Sequence, residues 1–245
     1  MATTPKKSRK AKEPEPVLAQ TRPLGRRVML WVLRGIAGVA GVFALLILVF
    51  SFLNPPFNLY QLQESARLGT VERDWVGWDD IAPVMGRSVV AAEDANFCLH
   101  WGFDMAAIRA AVAQGGNRGA STISQQVVKN VFLWHGRSWL RKAMEGVLTP
   151  AVELVWSKQR ILEVYLNIAE FDEGVFGVQA AARHHFNVDA RSLTATQAAR
   201  LAAVLPDPKG RNASNPSNFV RNRTRAIMAG AETISADGRD ACFRR

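Results

Sequence analysis

Nineteen consecutive residues without a charge, Gly35 to Leu53 ("GIAGVAGVFALLILVFSFL"), stand apart in a chain whose apolar positions otherwise recur at helical spacing. At about 1.5 Å per residue this run nearly crosses a hydrocarbon core of about 30 Å, and Val28 to Leu33 extend it if Arg34 snorkels its head to the interface. A buried core helix would be expected to carry a polar stripe, which this run lacks. A cleaved signal would want small residues where "SFLNPPF" has bulky ones. The pattern predicts an uncleaved membrane helix over 28–53, a basic tail over 1–27 and a globular domain over 54–245.

Beyond a short connection, "NPPFNLYQLQESARLG", the pattern predicts helix after helix. "DDIAPVMGRSVVAAED" has Asp79 or Asp80 as cap and Pro83 in the first turn. Asp104 caps "MAAIRAAVAQ", which stops at Gly115 and Gly116; Ser121 caps "TISQQVVKNVFL"; Ser138 caps "WLRKAMEGVL". Thr149-Pro150 should break or kink that helix, which resumes as "AVELVWSKQRILEVYLNIA". "GVFGVQAAARHHF" follows, then Thr194 and Gln197 form a capping box for "TATQAARLAAVL", ended by Pro206, and "SNFVRNRTRAIMAGAETI" closes the series. Strand-period runs and internal repeats are not evident, so the fold class is mainly α.

Charge changes this picture in one respect. Of the formal +10, residues 1–34 hold +7, from nine Lys or Arg against Glu13 and Glu15, which leaves +3 for the other 211 residues. The globular part is only mildly basic, so nucleic acid is not an expected partner. The basic flank instead orients the span, with residues 1–34 cytoplasmic and everything beyond residue 53 outside, and a tail attracted to anionic lipid. Cys98 and Cys242 both fall on the outer side, where an oxidising compartment allows a bridge; their spacing leaves pairing and two free thiols equally open.

Several polar clusters interrupt otherwise apolar patterns. Glu93 and Asp94 stand side by side after an apolar run, followed by Phe97, His100 and Asp104. On the next-but-one helix Gln125 and Lys129 share a face, as do Thr122 and Gln126, and Asn130 follows: amides, a hydroxyl and an ammonium suited to sugar hydroxyls and phosphate oxygens, or to a plain solvated face. Arg137, Arg141 and Lys142 then bring further cations, as a pyrophosphate would require, with Glu145 one turn beyond Arg141 where a surface ion pair is the plainer reading. The four histidines fit no zinc spacing, adjacent His184 and His185 read as helix-end surface, and serine-nucleophile motifs are missing. Carboxylates are the best chemical candidates.

These residues carry a resemblance. "EDANFCLHWGFD" resembles the ED-x-x-F-x-x-H-x-G-x-D motif of the family 51 peptidoglycan glycosyltransferases, "GASTISQQVVKN" their G-x-S-T-x-x-Q-Q-x-x-K-N motif, and "RKAME" their R-K-x-x-E motif. "ILEVYLN" and "LTATQAARLAAVLPDP" are similar to the two blocks that follow, so the matches run in order over residues 83–208. The chain ends about forty residues later, which resembles the monofunctional members rather than the bifunctional ones that continue into a transpeptidase domain. Three positions depart from the family pattern: Pro150 within a usual helix, Cys98 within the first motif, and Met144 where a basic residue is frequent.

The resemblance implies a lysozyme-like helical domain that polymerises lipid II. The growing glycan on undecaprenyl diphosphate is the donor, and the GlcNAc 4-hydroxyl of lipid II attacks its anomeric carbon with inversion. Glu93 matches the catalytic glutamate and Glu145 the second functional one. Lys129 and Arg137 match diphosphate-binding positions, supported by Arg141 and Lys142. Thr122, Gln125, Gln126 and Asn130 match the stretch contacting saccharide and phosphate, while Asp94, Phe97 and His100 shape the base's surroundings. No tightly bound cofactor or protein metal site is implied; a divalent cation, Mg or Mn, bridging the substrate diphosphate is compatible with it. Expected partners are lipid II, the nascent glycan chain, membrane lipid and other proteins of wall synthesis and division, at the inner membrane with a periplasmic domain. The rival readings are a lysozyme-like muramidase or lytic transglycosylase, which has no use for a diphosphate site, and an inactive scaffold of the wall machinery.

Overall fold

A computed structural model of the chain describes residues 24–115, 119, 121–136 and 138–244. The chain divides into two compact units, Met1–Val42 and Phe43–Arg245. The described part of the first is the opening of helix α1 (Leu24–Phe50), apolar on all sides, with Val28, Trp31, Ile36 and Val39 exposed and Arg34 lying 5.4 Å from the Trp31 ring. Within Gly25–Phe50 the most apolar 18-residue window has a mean hydropathy of 2.4, enough by length and composition to cross a membrane. The helix starts four residues earlier and ends three earlier than the expected span of 28–53, because Arg26 and Arg27 are good helix formers and the chain turns at 51–53.

The second unit begins inside α1 rather than at residue 54. Ile47 is buried, its carbonyl accepts from Trp156 Nε1 at 2.7 Å, and the Phe50 carbonyl accepts from Arg160. Helices α2 (Leu59–Leu68), α3 (Pro83–Glu93), α4 (Met105–Ala113), α5 (Ile123–Phe132), α6 (Trp139–Val155), α7 (Lys158–Ile168), α8 (Val178–Phe186), α9 (Ala195–Val204) and α10 (Asn218–Ala236) make up most of it. Two helical groups build the core. In one, α3, α9 and α10 pack mutually; Ala198, Ala199, Ala202 and Ala203 of α9 are all fully buried, and their small side chains let the neighbouring backbones approach. In the other, α5 packs on α6 and α7, and α7 is the central helix, with Ile161, Leu162, Val164 and Leu166 fully buried.

The capping expected from Asp104, Ser138 and the Thr194/Gln197 box is present. Four local expectations are corrected. Asp79 and Asp80 lie in a single 3-10 turn, and α3 starts on Pro83 with no side-chain cap. Thr122, not Ser121, caps α5, in a full capping box with Gln125. Pro150 does not break α6; the Thr149 hydroxyl donates to the Glu145 carbonyl at 2.7 Å beside the position where proline removes a donor. The break comes instead at Trp156-Ser157, where the Ser157 hydroxyl caps α7.

A small sheet also went unread. Strands β1 (Glu72–Arg73), β2 (Glu170–Asp172) and β3 (Val175–Phe176) run in the order β1-β3-β2, with β1 parallel and β2 antiparallel to β3. Strands of two or three residues are too short to show alternation. Asn167 at the end of α7 anchors the chain beside this sheet: its amide donates to the Val76 carbonyl and accepts from the Val76 N–H, each at 2.9 Å.

Candidate active site

Glu93 is the last residue of α3, where the helix stops because Asp94 leaves helical geometry. Buried Asp94 accepts from the Ile123 N–H at 3.0 Å, at the first turn of α5, and pairs with His100 Nε2 at 2.8 Å. The carboxylate thus satisfies an otherwise orphaned helix N-terminal donor and ties the first motif to the second. Glu93 is left half-buried beside it, accepting among the described residues only from Gln126 Nε2 at 3.1 Å; Gln126 Oε1 in turn accepts from the Tyr165 hydroxyl at 3.4 Å. Burial raises the Glu93 pKa above the ordinary carboxylate range, while the Gln126 amide and the guanidinium groups of Arg223 and Arg211 pull the other way. A carboxyl so placed is tuned upward towards general-base work near neutral pH.

Gln126, Lys129 and Asn130 line a hollow of about 200 Å³ closed by Tyr60, His135, Tyr165 and Glu170. The Lys129 ammonium makes no hydrogen bond or ion pair among the described residues, and burial lowers its pKa. Asn130 Oδ1 is buried without a partner. A half-buried cation without a partner among the described residues and an orphan amide oxygen beside one hollow are costly unless a ligand takes them up. Glu93 itself lines a second hollow of about 330 Å³, together with Asp94, Asn96, Asp104, Gly119, Ser121 and Thr122. Glu93 thus lines one hollow and is tied through Gln126 to the other, which has the Lys129 ammonium on its wall.

The second glutamate is not a surface partner of Arg141. Glu145 is 3% exposed, and its oxygens accept from Arg141 Nη1 at 2.7 Å, from Lys142 Nζ and from Gln125 Nε2 at 3.3 Å. Glu145 thereby gathers the two cations on the α6 side and links them to α5. Lys142 stays exposed and Arg141 half-buried, and both border an open recess beside Ser138 and Trp139. Arg137 lies outside the described residues.

Several candidates turn out to support the site from within. Phe97 is fully buried, packed against His100, Phe243 and the Lys158 ammonium, which sits 4.4 Å from its ring, so it cannot touch a substrate. Thr122 and Gln125 are likewise buried and engaged in the α5 cap, and the Thr122 hydroxyl donates to the Gly102 carbonyl at 2.7 Å. Gly102 has φ of 84°, and a Cβ there would lie 2.6 Å from Thr149 Cγ2. Gly102→Ala is expected to cost about 2–3 kcal/mol from left-handed strain and the clash. Urea unfolding measures this, and a loss under about 0.5 kcal/mol would contradict the geometry.

Other members of the site gave no local signal. Arg223 on α10 reaches back to the Ala92 carbonyl at 3.3 Å. Tyr60 stacks on His135 with ring centroids 4.1 Å apart, and its hydroxyl donates to Glu170 at 2.6 Å. Burial and nearby Lys129 and Arg141 depress the His135 pKa to about 4, so its imidazole is neutral at pH 7. Cys98 and Cys242 form a disulfide, with Cα atoms 5.6 Å apart, that pins the turn after Glu93 to the C-terminal segment.

The sequence model described as Transglycosylase matches residues 61–232, a span that contains both glutamates, the α5 face and Arg223. A protein of Jannaschia sp. (strain CCS1) called "Biosynthetic peptidoglycan transglycosylase" is 56% identical over 238 residues, covering 97% of this chain and 98% of the relative. One of the same name from Cronobacter sakazakii (strain ATCC BAA-894) is 50% identical over 217 residues, covering 84% and 90%. With the match spanning most of the chain and the relatives aligned nearly end to end, this chain belongs to the transglycosylase family.

Proposed function

We propose that this chain is a peptidoglycan glycosyltransferase that polymerises lipid II, joining the growing undecaprenyl-diphosphate-linked glycan to the GlcNAc 4-hydroxyl of the next lipid II with inversion. The observation that carries it is a half-buried Glu93 of raised pKa, with its hydrogen-bond partner Gln126 one helical turn from the unpaired Lys129 on α5. Glu93 takes the hydroxyl proton as the oxygen bonds to the anomeric carbon, and the bond to the diphosphate breaks with its electrons leaving on phosphate oxygen. Lys129, with Arg137, Arg141 and Lys142 in support, neutralises that developing charge. Gln126 and Asn130 offer hydrogen bonds to saccharide and phosphate. Asp94 and His100 hold the base's segment, and Glu145 holds Arg141 and Lys142 in place.

A divalent cation such as Mg2+ or Mn2+ would reach this site on the substrate diphosphate rather than on the protein. The Glu145 oxygens already accept from an arginine, a lysine and an amide, which leaves no carboxylate cage there. The mechanism needs no step through it.

The apolar helix anchors the domain as a single-pass inner-membrane protein with its basic tail cytoplasmic and the domain periplasmic. Both reactants are lipid-linked, so an anchored enzyme meets them at raised effective concentration. Phe52, Leu53, Phe57 and Leu62 are exposed and suit contact with lipid, whereas in "FLWHG" Leu133 is buried in the core. Docking of further wall-synthesis and division proteins belongs to the same reading.

Detergent-solubilised protein incubated with labelled lipid II tests it: glycan ladders on a gel support polymerisation, and cleavage of finished glycan without polymerisation establishes the muramidase reading instead. Lys129→Met is expected to weaken donor binding ten- to hundredfold, the scale of one charge-assisted contact. Its melting temperature should hold or rise, because a buried ammonium no longer needs desolvating. Unchanged donor affinity would remove Lys129 from the diphosphate site.

A further inference from the structure

At the sheet, two elements bring together three donors that the glycosyl-transfer chemistry does not use. Asp172 ends β2, and His184 and His185 occupy the last turn of α8. One donor atom from each lies within 4.8 Å of the other two. His185 Nε2 is 3.5 Å and His184 Nε2 is 4.0 Å from Asp172 Oδ2, too far for hydrogen bonds of full strength. The His185 side chain is 1% exposed, yet neither ring nitrogen has a hydrogen-bond partner; the Phe171 backbone lies close but outside bonding geometry. This corrects the surface reading of the pair: His184 is exposed and His185 is buried.

We propose that Asp172 Oδ2, His184 Nε2 and His185 Nε2 form a binding site for a divalent transition-metal ion of the zinc class. Bonds of about 2.0 Å at tetrahedral angles set ligand atoms about 3.3 Å apart, so the observed 3.5 and 4.0 Å close by small side-chain rotations. Two imidazoles and one carboxylate are borderline ligands that suit Zn2+ and disfavour Mg2+. Glu72 supplies the support that metal-bound histidines characteristically have. Its Oε1 lies 3.2 Å from His184 Nδ1, so a proton held on Nδ1 leaves Nε2 free for the metal. The ion would cross-link β2 and α8, with β1 joined through the Glu72–His184 contact. It would also brace β2, whose first residue Glu170 holds Tyr60 at the Lys129 hollow.

Titration calorimetry of the full chain in detergent, stripped with chelator and titrated with ZnCl2, tests this without reference to catalysis. One ion per chain is expected, with no heat from MgCl2. Because His184 and Asp172 are not buried, His184→Ala and Asp172→Asn should keep the fold, checked by circular dichroism, and should weaken Zn2+ at least tenfold. Glu72→Gln should keep the stoichiometry with a smaller loss. Co2+ in place of zinc should give the intense visible bands of a tetrahedral site in the parent and not in the two ligand variants. No Zn2+ binding by the parent, or equal binding by His184→Ala and Asp172→Asn, overturns the proposal.

Discussion

Glu93→Gln is expected to lower the rate of glycan polymerisation at least a hundredfold, the usual scale for removing a general base, while leaving the protein as stable as before or more so. Both halves follow from where the carboxyl sits. It lines one polar hollow and is hydrogen-bonded to Gln126, which lines the neighbouring hollow that Lys129 borders. Its pKa is raised in the folded state, mainly by burial. The folded protein therefore holds that proton more tightly than the unfolded chain, and any stability this confers is present at low pH and lost as pH rises through the raised value. At neutral pH the ionised carboxyl is a burden on folding that the neutral amide relieves. The rate in the parent should fall as pH drops through a point above 4.5, the ordinary glutamate value, and Gln126→Leu should move that limb higher by removing a bond that favours the anion. Melting curves and pH-rate profiles measure all three. A variant that polymerises within tenfold of the parent, or melts several degrees lower, would show that Glu93 serves the structure rather than the reaction.

Removing the disulfide should have the largest effect on stability. The Cys98–Cys242 bridge closes a loop of 144 residues, nearly the whole folded domain, and a link over so long a loop is worth about 2–5 kcal/mol by restricting the unfolded chain. In a domain of this size that corresponds to a drop of roughly 5–15 °C in melting temperature. Activity should suffer as well, because the C-terminal segment braces the motif that carries the base. Phe243 packs on Phe97, Arg239 donates to the Ala95 carbonyl at 3.0 Å, and Arg223 donates to that of Ala92. The Cys98→Ser, Cys242→Ser double variant avoids a stray thiol and should melt as the parent does under reductant, with no further response to reductant of its own. If parent and double variant melt together under oxidising conditions, the bridge carries no stability and the brace rests on packing alone.

How much of this was legible in the residues depends on the range of each interaction. Helices announced by apolar spacing and a cap were readable, as at Ser138 and at Thr194 with Gln197. One-residue errors came where two hydroxyls compete, as Ser121 and Thr122 do. The sheet was invisible because its strands are shorter than the pattern that reveals strands. In the site, the motif residues around Glu93, Lys129 and Glu145 were singled out by type and spacing, but not their division of labour. Spacing paired Gln125 with Lys129 on one face, whereas in the fold Gln125 turns to Glu145 and Gln126 faces Glu93.

The sequence by itself determined a charge-free run long enough to cross a membrane, a mainly helical domain, and the residue types from which a base and a cationic face could be built. Each of these depends on neighbours within a turn or two of helix, where the chain's own geometry sets the spacing. Only the tertiary structure decided that Glu145 is buried among its cations, that Phe97 lies in the core, that Arg223 and Tyr165 border the base, that the cysteines meet, and that His185 points inward at Asp172. Burial and pKa depend on which segments touch after folding, and the contacts that bring Gln126 to Glu93, Arg223 to the Ala92 carbonyl and Cys98 to Cys242 join residues 33 to 144 positions apart, a range over which no local pattern carries information.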